Sequence, residues 1–249
     1  MISAWGSFGE TTSTETAAGG TFNEPWDVAV GPDGSVYVTD TWNHRIQKFS
    51  ARGTFLDSWG FFAQGSSEEG YWGPRSVTVD GDGNVYFSDT GNKRVVVFDE
   101  DGNFVAQFGS AGTDFGQFNE PVGIALDSSN NLYIADTWNR RVQVLSPDLE
   151  LNTSTTLLSW DVEGWYGESI ENKPFIAVNA AGNVFVSDPE GSLILEYTPS
   201  GELIHVWDLR GVQDDQISMP VDIEFDEQGI MWVSDAASNM IYGYSLPLD

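Results

Sequence analysis

The chain has 249 residues, with 38 Asp plus Glu against 10 Lys plus Arg, a formal charge of −28, and no cysteine. A polyanion would approach such a chain against a repulsive field, which disfavours nucleic acid and anionic membrane surfaces as partners. Without Cys, and with His44 and His205 as the two histidines, disulfide frameworks, thiolate zinc or iron–sulfur sites and multi-histidine metal centres are also disfavoured. With 40% hydrophobic and 13% aromatic residues, the chain has enough apolar surface to fold. It holds no apolar run near the roughly 20 residues of a spanning helix, and no signal-peptide pattern follows Met1.

In chain order, residues 2–9 read as an outermost strand and the loop after it. From Pro25 a unit of four strands follows: one after the proline, a Gly/Asp turn, Val36 to Asp40, a second turn, Arg45 to Phe49, and a last strand ending in Trp59. The order recurs from Pro74, with Val85 to Asp89 and an end at Phe108, and from Pro121, with Leu132 to Asp136 and an end at Trp160. It recurs again from Pro174, with Val184 to Asp188 and an end at Trp207, and from Pro220, with Met231 to Asp235. The distance from proline to aspartate is 15, 15, 15, 14 and 15 residues, the fourth copy having lost one residue just after its proline. Apolar residues alternate within each run and turn residues recur about every ten positions, the mark of strands. No helix is expected.

Repeats of about 40–50 residues with four antiparallel strands predict a β-propeller, because one such blade cannot bury both its faces alone. The expected fold is all-β: a closed propeller of five four-stranded blades, one domain over 1–249. The last copy stops where its fourth strand belongs and Trp5 falls in phase for it, so the N-terminal strand is expected to complete the last blade and remove two sheet edges.

Three copies carry Asp-x-x-Asn-x-Arg at the second turn: Asp40, Asn43 and Arg45; Asp89, Asn92 and Arg94; Asp136, Asn139 and Arg141. Together with the proline and the aromatic run, they resemble the NHL repeat family over nearly the whole chain. Copies four and five depart, with Leu193 and Met240 where the arginine stands. The resemblance implies a propeller, more often six-bladed. It implies three kinds of function: RNA binding on a basic face, peptide amidation at a histidine-held metal, or scaffolding in bacterial envelope and secreted proteins. Charge and histidine content disfavour the first two. A secreted or envelope location follows from the resemblance, and from nothing else in the chain.

The motif itself reads as structural, with Asp accepting backbone N–H groups, Asn allowing φ > 0, and Arg pairing with the carboxylate. Asp80-Gly-Asp82-Gly-Asn84 resembles the start of a calcium loop, yet lacks the later Gly and Glu and reads as a hairpin turn. Asp27, Asp222 and Glu224 stand where the repeat prefers small residues, and on ring closure would lie near one channel mouth, as a solvated acidic channel or a candidate Ca²⁺ site. Trp42, Trp138, Trp72 and Trp165 fall in loops of one face, with Trp26, Lys93, Arg140 and Lys173. They either pack the loops together or form a recognition surface. The expected function is a non-catalytic binding or assembly scaffold for a protein or glycan. The alternatives are a divalent-metal hydrolase or lyase centred on the channel, and a self-associating subunit of an extracellular or envelope assembly.

Overall fold

The computed structural model describes residues 4–165, 173–210 and 218–246. The chain divides into two compact units, residues 1–118 with 148–154, and residues 119–147 with 155–249. The fold is all-β and consists of five antiparallel blades of the β-propeller type. In the first unit the strands are Pro25–Val30, Val36–Asp40, Arg45–Phe49 and Phe55–Trp59, then Pro74–Val79, Val85–Asp89, Arg94–Phe98 and Phe104–Phe108. The third blade runs Pro121–Leu126, Leu132–Asp136, Arg141–Asp148, Thr153–Asp161, and the fourth Ile176–Val178, Val184–Asp188, Leu193–Tyr197, Leu203–Asp208. The fifth has three strands among the described residues, Pro220–Phe225, Ile230–Asp235 and Met240–Ser245. Strands pair in chain order within every blade.

The register follows from the turns. Between the first two strands of blade two, Asp80 Oδ1 accepts the N–H groups of Asp82 and Asn84 at 3.0 and 2.9 Å, and Gly83 takes φ 89°. Of the two aspartates that suggested a calcium loop, Asp80 is thus spent on closing a hairpin. Between the second and third strands, one turn of 3₁₀ helix (Thr41–Asn43, Thr90–Asn92, Thr137–Asn139) ends in a left-handed residue, His44, Lys93 or Arg140. These turns are the only helical segments among the described residues, and no helix there is long and apolar enough to cross a membrane.

Alternation then sends one set of side chains into the space between neighbouring blades. In the first unit Tyr37, Ile46, Tyr71, Phe87, Val96 and Phe98 form one buried cluster. In the second, Tyr133, Val142, Ile176, Val184, Leu195 and Tyr197 belong to another. At roughly 1.5–3 kcal/mol for each large side chain removed from water, these inter-blade layers hold each unit together.

The outermost strand adds a repeated contact. Its terminal tryptophan lies over the last hairpin turn of the next blade, where a glycine in left-handed backbone leaves room for the indole. Trp59 covers Gly102 (φ 82°) and Trp160 covers Gly201 (φ 82°). Trp5, which lies in none of the blade strands described, covers Gly53 (φ 77°) in the same manner and packs on Phe49 at 4.5 Å. A Cβ at any of the three glycines would collide with the ring. The third blade has Asn152 (φ 51°) at this turn, and there the preceding strand ends in the smaller Phe108. Of the N-terminal stretch expected to complete the last blade, Ser7–Phe8 pairs in parallel with Thr21–Phe22. Residues 2–3 and 247–249 lie outside the described residues.

Candidate functional site

The turn motif fills the top of each of the first three blades. Asp40 is fully buried and accepts hydrogen bonds from Asn23 N (2.7 Å), Asn43 Nδ2 (2.9 Å), Arg45 Nε (2.8 Å) and Gln47 Nε2 (2.9 Å). The rest of the guanidinium binds main-chain oxygens of the loop that enters the blade: Ala17 at 2.6 Å, Ala18 at 3.0 Å and Thr21 at 2.8 Å. Arg94 repeats this with Asp89 at 2.8 Å, Ser67 O at 2.7 Å and Gly70 O at 2.8 Å. Asp136 takes Asn119 N, Asn139 Nδ2 and Arg141 Nε. Burial pushes the Asp89 carboxyl above its ordinary pKa, against the donors from Trp72, Asn92 and Arg94. Arg45 and Arg94 are therefore staples for the entering loops, and with Arg141 paired to Asp136 the positive charge of the motif is largely withdrawn from solvent.

The loop tryptophans separate into two kinds. In the first unit Trp42 and Trp72 are 38% and 39% exposed. Trp42 donates Nε1 to Glu24 Oε2 at 2.8 Å and meets His44 edge-on at 6.3 Å. His44 packs on Phe62 at 4.8 Å, and Phe62 meets Trp72 edge-on at 6.4 Å. Phe61 and Phe62 are each 54% exposed. Trp42, His44, Phe62 and Trp72 thus make one continuous aromatic surface on the 3₁₀ turn and the loop between blades one and two. The His44 Nδ1 accepts the Gly73 N–H at 3.1 Å, and burial holds its pKa below the ordinary histidine value. Phe61–Phe62 is a two-residue strand paired in parallel with Gly70–Tyr71 between repeats, where the repeat's periodicity has nothing to say about it.

In the second unit Trp165, expected on the binding face, is buried and donates Nε1 to Ser187 O at 3.1 Å, so its role is packing. Trp138 is half-buried with the Lys173 ammonium 5.0 Å from its ring centre, and Lys173 lies 3.6 Å from Glu120. Arg140 is exposed, while Lys93, in the first unit, is half-buried. Trp26, in the first unit, carries the Arg75 guanidinium at 3.9 Å, and Arg75 is itself buried. These cation–π pairs explain where several of the scarce positive groups reside.

The three candidate calcium ligands have local partners. Asp27 reaches across to the second blade, where Oδ2 accepts Ser76 Oγ at 2.8 Å and Val77 N at 2.9 Å, and its Oδ1 takes Val28 N at 2.7 Å. In the second unit Asp222 Oδ1 accepts Ile223 N at 2.9 Å, and Glu224 is exposed. Among the described residues no group of three or more His, Cys, Asp or Glu gathers as metal ligands would. The equivalent of Asp27 in the third blade is Gly123, where a Cβ would sit 2.6 Å from Phe175 Cα and 2.8 Å from Ile176 N. The fourth repeat, one residue short after its proline, brings its backbone to the place that the Asp27 carboxylate spans between blades one and two.

Burial pushes the Asp27 carboxyl up to about 6, with the Val77, Ser76 and Val28 donors opposing. From the unfolded value of 3.8 to about 6 the folded chain holds a proton that the unfolded chain has released. This group's contribution to stability therefore falls as pH rises through that window. Asp27→Asn should gain melting temperature relative to the parent from about pH 4 to about pH 6 and hold a constant difference above about pH 7. A difference that does not change with pH would assign the shift to another group.

A family model for the NHL repeat matches residues 22–49, 71–98 and 118–145. The chain carries NHL repeats at these three positions. The three matched segments each run from the end of the entering loop to the third strand of blades one to three, and each contains one Asp-x-x-Asn-x-Arg motif. Solved structures share the fold at low identity. A protein of unknown function from Bacteroides thetaiotaomicron VPI-5482 aligns with a TM-score of 0.70 and 17% identity, over 97% of this chain and 63% of its own. Virginiamycin B lyase from Staphylococcus aureus aligns at 0.58 and 14%, over 90% and 70%. A chain of the nidogen/laminin complex aligns at 0.62 and 17%, over 89% and 76%. No curated protein sequence matches the chain. The same fold thus occurs in a lyase and in a protein complex alike, and the likeness is one of fold.

Proposed function

We propose that this NHL-repeat protein is a non-catalytic binding module that recognises a protein partner through the aromatic surface of Trp42, His44, Phe62 and Trp72. The observation that carries the reading is the exposure of two indoles and a phenyl ring held in fixed poses. Trp42 is tied to Glu24, and the main chain of Trp72 is tied on both sides, its N–H to Asp89 at 2.7 Å and its carbonyl to Gly91 N at 2.8 Å. Large aromatic groups that are already ordered lose little entropy on binding and form the usual anchors of protein interfaces. The imidazole within the surface is engaged at Nδ1 by a backbone N–H, an orienting contact rather than one that prepares a base. The fold's occurrence in a nidogen/laminin complex fits a protein partner.

The test is a paired substitution, Trp42→Ser with Trp72→Ser, compared with the parent in affinity capture from the native source and in thermal melting. The expected result is a melting temperature within a few degrees of the parent, since both rings are exposed, with the captured protein lost. Unchanged capture would remove the surface from the function. Capture that survives protease digestion of the source extract but not glycosidase treatment would make the ligand a glycan and overturn the choice of a protein.

A further inference from the structure

The fourth blade carries a second feature, made by the loss of the repeat's arginine. In blades one to three the strand-two aspartate faces an arginine across the ladder: Asp40 and Arg45, Asp89 and Arg94, Asp136 and Arg141. In blade four Asp188 faces Leu193. In the first two blades the guanidinium reaches out to main-chain oxygens of the entering loop and fills the space beside the third strand. Leucine is shorter and makes no such bonds. Beside it lies a cavity of about 550 Å³, within the size range of ligand sites.

One wall is apolar: Leu193, Leu195 and Tyr197 from the third strand, Leu203 and Val206 from the fourth. The last two share that wall because the register shifts between them, so that Leu203 pairs with Tyr197 and Val206 with Leu195. They remain 48% and 44% exposed. The lining also includes Asp161 and Glu163, both exposed, and among the described residues no Lys or Arg lines the cavity. Asp188 lies behind it, buried against Gly164, and burial raises its pKa; among the described residues it accepts a bond from Gly191 N and pairs with no cation. The fourth strand is the outermost of its sheet. From Leu203 to Trp207 its one polar residue is His205, whereas the first blade's outer strand contains Asp57 and Ser58.

We infer that this groove is a second binding site, distinct from the aromatic surface, for an extended segment of a partner polypeptide in which aliphatic side chains alternate with lysine or arginine. The apolar side chain fills the space left by the missing guanidinium, the cations meet Asp161 and Glu163, and the segment's main chain lies along the free edge of Leu203–Asp208, the usual mode of strand addition. Charge decides the class of occupant, because among the described residues the lining offers two exposed carboxylates and no positive group to an incoming acidic or neutral segment.

The probe is an end-blocked pentapeptide, Lys-Leu-Lys-Leu-Lys, titrated by calorimetry at low and at about 0.15 M salt. Binding is expected to weaken tenfold or more in Leu193→Arg, which restores the staple, and in the double variant Leu203→Ser with Val206→Ser, whose positions are exposed enough to leave folding intact. It is expected to persist in the Trp42→Ser, Trp72→Ser variant, so that failure here and failure of the proposed function are separate results. If Leu193→Arg does not fold, the serine pair decides. Equal binding by all variants, or by Lys-Ser-Lys-Ser-Lys, would reduce the effect to general attraction toward a chain of charge −28 and overturn the site. Self-association abolished by the serine pair, with no peptide binding, would also overturn it by making the occupant a second copy of the chain.

Discussion

Replacing Asp89 with alanine should cost the folded protein about 3–5 kcal/mol, the range found when one partner of a buried ion pair is removed. The carboxylate is fully buried and is the common acceptor for Trp72 N, Asn92 Nδ2 and Arg94 Nε. Without it Arg94, 4% exposed in its side chain, stays charged in a site that has lost its counterion, and the Trp72 N–H loses its acceptor. The loss should show as a lower urea midpoint at unchanged slope. The double variant Asp89→Leu with Arg94→Leu removes both charges and should recover part of the loss, because an apolar pair of suitable volume can replace a buried ion pair at little cost. The fourth blade has already taken half of that step, with Leu193 facing Asp188. If the double variant is as unstable as the single one, the staple's bonds to Ser67 O and Gly70 O matter more than the ion pair.

A second large effect is expected at Gly102. Its φ of 82° is costly for any residue with a Cβ, by about 1–2 kcal/mol. Alanine there would also drive its methyl group into the Trp59 indole, forfeiting much of the roughly 1.5–3 kcal/mol that burying such a side chain contributes. Gly102→Ala should therefore lower stability by about 3 kcal/mol or more. In a Trp59→Ala background the same change should cost no more than the backbone strain, and the coupling between the two sites is the quantity to measure. Additive losses would mean that the glycine serves the hairpin alone.

The blades were legible in the chain because their signals are local and repeated. Proline, alternation and the aspartate at a constant distance place three strands and two turns in each copy, and Asp-x-x-Asn-x-Arg names its own ion pair. What the arginine does beyond that pair was not legible, since Ala17, Ala18, Ser67 and Gly70 are bound through main-chain oxygens that carry no residue-type signal. This is why the residue types alone gather the scarce positive groups on one loop face without showing that several are tied down. The candidate site was legible in part. Trp42 and Trp72 stand out by type and place, but nothing in the pattern distinguishes them from Trp165, whose burial depends on Ser187 O in another strand. Phe62 and His44 enter the surface through contacts between the segment linking two repeats and a turn. The lost residue after Pro174 and the glycine at position 123 were both visible, though their relation shows only when the two backbones are placed side by side.

The tryptophan-and-glycine contacts between successive blades have a consequence for how such a chain can change over evolutionary time. Two repeats present a ring at the trailing edge to a matching recess in the last hairpin of the next, and these pairs, Trp59 with Gly102 and Trp160 with Gly201, are interchangeable parts. A recombination that joins a repeat ending in such a ring to one carrying such a recess would therefore need no compensating substitution. Blade number is then free to drift through recombination, whereas a point mutation at a single recess is exposed at once to selection.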